Sequence, residues 1–207
     1  MNPAILPGNL SAAILEVIPL LRGWTGKGAR PFRMANLVVT ERPQVIVEIG
    51  VFGGQSLIPM AMALKVLGEG GKIYGIDPYD IDVVTTGLSQ YDSNPEWWKE
   101  QDMNAVREDT LKMIKDCGLS NQVVMILGKS SDCSFMFKTI DILHIDGSHT
   151  EQGALDDVLN YGSKVCKGGY IWLDDTHFPS LAKALKELEH FAEMKEDYGC
   201  YRLYQVK

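Results

Sequence analysis

Apolar positions in this chain fall into two patterns. Short, mostly apolar runs occur at Val45–Ile49, Lys72–Ile76, Val123–Leu127, Ile140–Ile145 and Tyr170–Leu173. Runs of that length read as strands buried on both faces of a parallel sheet. Between and after them, apolar residues at helical spacing predict helices over 54–67, 95–117, 151–165 and 179–192. Ahead of the first strand, residues 10–22 read as an amphipathic helix with Pro19 as its kink or end. A Gly-rich break from Gly23 to Gly28 follows, then a second short helix near 31–40. Strands alternating with helices predict an α/β fold with a doubly wound, mostly parallel sheet. The last two runs, near 193–198 and 200–206, predict an antiparallel hairpin and bring the sheet to seven strands. One domain is expected, with residues 1–43 as a helical cap on a core spanning 44–207.

Residues 79–95 break the pattern with turn-forming and polar residues and little periodicity. A loop that long inside a compact domain usually carries function. It leads into Trp97 and Trp98, and with Tyr79 and Tyr91 it offers aromatic faces for a flat acceptor or a sugar. Trp24, Lys27, Arg30 and Arg33 near the first helix are placed to cover a pocket or make a dimer contact.

Composition narrows the class. The 207 residues are 45% apolar and 23% charged, enough for one well-buried core. A net charge of −7 with no Lys/Arg block argues against a nucleic-acid partner. Cys117, Cys133, Cys166 and Cys200 lack metal-ligand spacing, which suits a reduced, cytoplasmic chain. The N-terminus does not read as a signal peptide, and no run approaches the roughly 18 apolar residues of a membrane span. The partner expected is a small molecule, with a homodimer as the base-rate assembly.

The candidate chemistry sits where the strands end. Asp146 closes Ile142-Leu-His-Ile-Asp, and Asp174-Asp175 close Tyr170-Ile-Trp-Leu-Asp-Asp. Carboxylates at such places are costly unless paired or bound to a cation, and ligands of open α/β sheets gather there. Each group is followed within three residues by a histidine, His149 or His177. His144 reads as a satisfied core histidine and His190 as a solvated one. After the first strand, Glu48-Ile-Gly50-Val-Phe-Gly53-Gly54-Gln-Ser56 makes a glycine turn into a helix. It is either a ligand cradle or an ordinary tight turn. Asp77 at the tip of the next strand is placed to accept hydrogen bonds from ribose hydroxyls, or forms a turn before Pro78. The Gly-x-x-Gly-Gly spacing departs from the dinucleotide fingerprint and counts against a nicotinamide-dependent oxidoreductase, the first alternative. A non-catalytic binding module is the second.

Glu48-x-Gly50 with Gly54 and Ser56, then Asp77 and Gly128-Lys-Ser-Ser-Asp132, resembles the class I S-adenosylmethionine-dependent methyltransferases, over about residues 44–207. The resemblance implies a Rossmann-like core and S-adenosylmethionine as cofactor. By it, Glu48, Gly50, Phe52, Gly54 and Ser56 meet the amino-acid part, Asp77 holds the ribose, and Ser130, Ser131 and Asp132 flank the adenine. Asp146 borders the cofactor as well. Within that class the sequence is similar to two metal-dependent O-methyltransferase groups, the macrocin-type sugar enzymes and the catechol and caffeoyl-coenzyme A type. These imply a metal site at Asp146, Asp174 and Asp175, whose oxygens suit magnesium or another hard divalent cation. They also imply methyl transfer to a hydroxyl of a sugar or a phenol. His149 stands where the catechol type has a lysine base, and His177 is its rival; Ser148 stands where some sugar enzymes carry a further carboxylate.

Overall fold

The computed structural model describes residues 7–23, 28–92 and 94–207. Trp24 and Lys27 lie outside them. In chain order the elements are α1 (Gly8–Val17), α2 (Arg30–Glu41), β1 (Val45–Ile49), α3 (Leu57–Leu67), β2 (Lys72–Asp77), α4 (Ile81–Thr86), α5 (Pro95–Lys99) and α6 (Met103–Asp116). Then come β3 (Val123–Leu127), α7 (Ser130–Cys133), β4 (Ile140–Ile145), α8 (Glu151–Gly162), β5 (Val165–Asp174), α9 (Ala182–Phe191), β6 (Ala192–Asp197) and β7 (Tyr201–Val206).

These strands form one seven-stranded sheet in the order β3-β2-β1-β4-β5-β7-β6. The first five in that order run parallel, and β7 inserts antiparallel between β5 and β6. The Rossmann-like, mostly parallel sheet with a closing hairpin is therefore the observed fold. β1 pairs with β2 on one side and β4 on the other, so the chain reverses its winding beside β1. A crevice opens at the carboxyl ends of strands at such a switch point.

Each face of the sheet buries its own core. On one face α1, α2 and α3 contribute Leu10, Ile14, Met34, Val38, Ile58 and Leu64, packed against Ile46, Trp172 and Leu203. On the other, Val158 and Tyr161 of α8 and Leu188 of α9 pack on Val47, Leu143 and Ile171. This is why Ile46–Ile49, Ile142–Ile145 and Tyr170–Leu173 read as mostly apolar runs: over these residues both faces are buried.

The long helix expected over 95–117 is two helices. Asp102 turns out of helical conformation and its side chain accepts a hydrogen bond from the Ala105 N–H, starting α6 afresh. Asp102→Ala is expected to cost about 1 kcal/mol of stability, the usual loss at an N-cap, in urea denaturation. The 79–95 segment likewise contains a helix, α4. It is capped by Asp80, which accepts from the N–H groups of Asp82 and Val83.

Candidate active site

The glycine turn is held by the carboxylate of Asp77. One oxygen accepts from the N–H groups of Val51 and Phe52, both at 2.9 Å, and the other from Tyr79 N–H at 2.7 Å. Tyr79 in turn donates its hydroxyl hydrogen to the Phe52 carbonyl at 2.8 Å. Burial pushes the Asp77 carboxyl upward, while these N–H donors from the backbone pull it down. At Gly50 the backbone φ is +81°, and a Cβ there would lie 1.9 Å from the Asp146 carbonyl oxygen. Only glycine lets the turn run this close to the end of β4. Glu48 is fully buried beneath it and accepts a 2.5 Å hydrogen bond from the Ser56 hydroxyl.

At the ends of β4 and β5 the acidic residues divide. Asp174 is 3% exposed, and one of its oxygens takes both the Arg30 guanidinium at 2.6 Å and His144 Nε2 at 2.8 Å. Arg30 reaches Asp146 at 3.8 Å as well. His144 Nδ1 faces Glu48 at 3.6 Å. Burial opposes the charged form of His144, but its bonds with Asp174 and Glu48 outweigh it and push the imidazole up to about 10. Burial, reinforced by the charge of Asp174, pushes Asp146 up to about 7. Burial opposes ionisation of Asp174 too, and there His144 and Arg30 prevail, holding it below the ordinary carboxylate range.

Asp175, the next residue, turns away at φ +52° and meets His149. Nε2 of His149 lies 3.0 Å from Asp175 and Nδ1 lies 2.6 Å from Asp92, while its peptide N–H donates to the Gly87 carbonyl at 2.9 Å. Burial disfavours the imidazolium, yet Asp175 and then Asp92 outweigh it and push His149 up to about 9. His177 is exposed, its ring 4.4 Å from that of Phe178.

The expected trio of aspartates is thus regrouped. Among the described residues two sets of ligand atoms lie within 4.8 Å of one another: His144, Asp146 and Asp174, and Asp146, His149 and Asp175. Glu48, Asp92, Asp146, Asp174 and Asp175 outnumber the cationic groups among them, Arg30, His144 and His149. Hard oxygens with imidazole and a surplus of carboxylate suit a divalent cation.

Turn and cluster open onto one cleft of about 1010 Å³. Of the site residues that the sequence suggested, Gly50, Phe52, Ser56, Asp77, Ser130, Ser131, Asp146, His149, Asp175 and His177 line it. Glu48, Gly54, Asp132 and Asp174 are absent from that lining. Ser131 and Asp132 are exposed and bonded to each other at 3.0 Å. Above the cleft, α4, α5 and the loop joining them bring Gly87, Tyr91, Asp92 and Trp98 to its wall. Phe52 packs its ring on Trp97 and Trp98 with centroids 5.9 and 5.3 Å away.

Among the lining residues that sequence reasoning did not name for the site are Asp92 and Asp157, while Arg30, expected over a pocket or at a dimer contact, lines the cleft beside the acidic cluster. Asp157 accepts a 2.5 Å bond from Ser130 Oγ, and burial pushes it up to about 6. A signal for it existed, since Asp157 shares the apolar stripe of Ala154, Val158 and Tyr161.

A sequence model described as a methyltransferase domain matches residues 47–176. The chain belongs to the methyltransferase-domain family. Solved structures share this enzyme's fold across nearly its whole length. An O-methyltransferase from Bacillus cereus, crystallised with SAH, is 15% identical, with a TM-score of 0.63 over 99% of this chain and 94% of that one. TomG, an O-methyltransferase from Streptomyces achromogenes in complex with SAM, covers 99% of this chain and 93% of its own. Its identity is 14% and its TM-score 0.61. The SAH-bound Podospora anserina methyltransferase PaMTH1 covers 100% and 91%, at 14% identity and a TM-score of 0.66. A comparison with curated proteins gives no match. The methyltransferase is accordingly of the class I type that its glycine turn and Asp77 resemble, and the oxidoreductase alternative falls away.

Proposed function

We propose that this methyltransferase moves a methyl group from S-adenosylmethionine to a hydroxyl of a small molecule, a sugar or a phenol, with a hard divalent cation beside the acceptor. The observation that carries this reading is the single cleft. The Asp77-braced turn occupies one wall and the Asp146, His149, Asp175 group another. The SAH- and SAM-bound relatives support the choice of donor.

In this reading Asp77 and the turn seat the cofactor's ribose and amino-acid portion, with Ser130, Ser131 and Asp157 beside the adenine. Asp146 and Asp175 hold the cation, magnesium or a similar ion, which would lower the acceptor hydroxyl's pKa. His149 takes the hydroxyl proton at Nε2, the atom nearer the cluster, in its neutral form, which a cation held by Asp175 would favour by cancelling that carboxylate's pull on the imidazolium. Asp92 grips Nδ1 and thereby fixes the ring and its tautomer. Among the described residues His177 has no comparable carboxylate brace at its ring, and it takes the minor part. Much of the acceleration comes from alignment, because the sulfonium is already activated.

Calorimetric titration with S-adenosylhomocysteine tests the donor, and methylation of a hydroxyl library before and after chelation tests the cation. Binding in the micromolar range and a loss of at least 100-fold on chelation are expected. A chain that ignores S-adenosylhomocysteine sinks the reading, and turnover indifferent to chelation sinks its metal half.

A further inference from the structure

Asp174 is the one aspartate of the three that holds a guanidinium at hydrogen-bond distance, 2.6 Å from Arg30. We propose that Arg30 is a tethered counter-cation that holds Asp174 out of metal ligation and weakens divalent-ion binding at the neighbouring Asp146 and Asp175. The inference rests on the metal-assisted reading above.

Three observations carry it. The Arg30 guanidinium is 2.6 Å from Asp174 and 3.8 Å from Asp146, so it bridges the two carboxylates of one candidate ligand set. Asp146, Asp175 and Arg30 line the cleft, whereas Asp174 lies behind the wall at 3% exposure. Finally, the helix that carries Arg30 is itself anchored. Within the first turn of α2, Arg33 lies 4.1 Å from the centre of the Tyr198 ring and donates to Tyr201 Oη at 2.6 Å. Tyr201 is the register partner of Asp174 across β5 and β7. The strand that positions Asp174 therefore also anchors the helix that supplies its arginine.

A guanidinium fixed beside these carboxylates repels an incoming dication. Even under the screening typical of protein sites, unit charges a few ångströms apart interact by more than a tenfold factor in affinity. A neutral residue at position 30 should therefore raise affinity for the ion, and neutralising Asp174, which removes a nearby charge but no ligand, should cost less than removing Asp146.

The test is Mn²⁺ binding to the full chain, read by the loss of free-ion electron paramagnetic resonance signal, with thermal melts to verify folding. Arg30→Met is expected to bind Mn²⁺ at least tenfold more tightly than the parent, and Arg30→Lys within threefold of it. Asp174→Asn, which loses a charge but no ligand, should weaken binding by about tenfold, while Asp146→Asn loses at least 100-fold. Should Asp174→Asn lose as much as Asp146→Asn, or Arg30→Met bind no more tightly, the inference is overturned and metal-assisted transfer survives. If Arg30→Met does not fold, Asp174→Asn decides alone. Absence of Mn²⁺ binding in every protein overturns the metal reading together with the inference.

Discussion

Asp77→Ala is expected to weaken S-adenosylhomocysteine binding by at least 100-fold and to lower the melting temperature by several degrees. The carboxylate satisfies three backbone N–H groups in a nearly closed environment. Each buried donor left without an acceptor costs about 1–3 kcal/mol. Even the low end of that range sums to about 3 kcal/mol, and 1.4 kcal/mol is tenfold in an equilibrium constant. In a domain of this size each kcal/mol moves the midpoint by about 2–4 °C. The turn it braces also contains Phe52 at φ +45°, a backbone strain that holds only while its surroundings enforce it. Calorimetry and a thermal melt measure both effects. Undiminished affinity alongside a lowered midpoint would leave Asp77 as a brace of the fold and remove it from the cofactor site.

Asp175→Asn should act on turnover alone. The amide keeps the side chain's size and tolerates the left-handed backbone at this position. It removes the charge that faces His149 Nε2 and one of the carboxylates proposed to hold the cation. A fall in kcat of at least 100-fold is expected, with S-adenosylhomocysteine affinity within threefold of the parent. That separation is the informative part, because Asp175 lies in the acidic cluster and Asp77 beneath the glycine turn. A variant retaining full kcat would exclude Asp175 from the reaction.

How legible all this was in the sequence depended on the range of the interaction. Val45–Ile49 and Ile140–Ile145 are strands over the residues that the apolar runs marked, because burial on both faces leaves a strong local signature, and Val123–Leu127 matches too although this edge strand is only partly buried. The join between α5 and α6 was invisible to periodicity, since it rests on one side chain, Asp102, capping a new helix. In the site, Asp146, Asp175 and His149 could be named because they terminate strands or follow them directly. Asp92 could not, for it belongs to a segment with no period, and its role arises only when that segment folds over His149. Asp174 shows the limit most clearly. Its place at a strand end was readable, but its partner Arg30 comes from a helix on the far side of the sequence, and no local pattern encodes that pairing.

The line Ser56, Glu48, His144, Asp174, Arg30 joins four separate elements and a turn through side chains alone. Contacts between such distant parts of a chain are slow to form, because loop closure must precede any gain from them. Of the pairs in this line, Arg30 and Asp174 lie furthest apart along the chain, so the contact that gives the acidic pocket its arginine carries the largest loop-closure cost of the series.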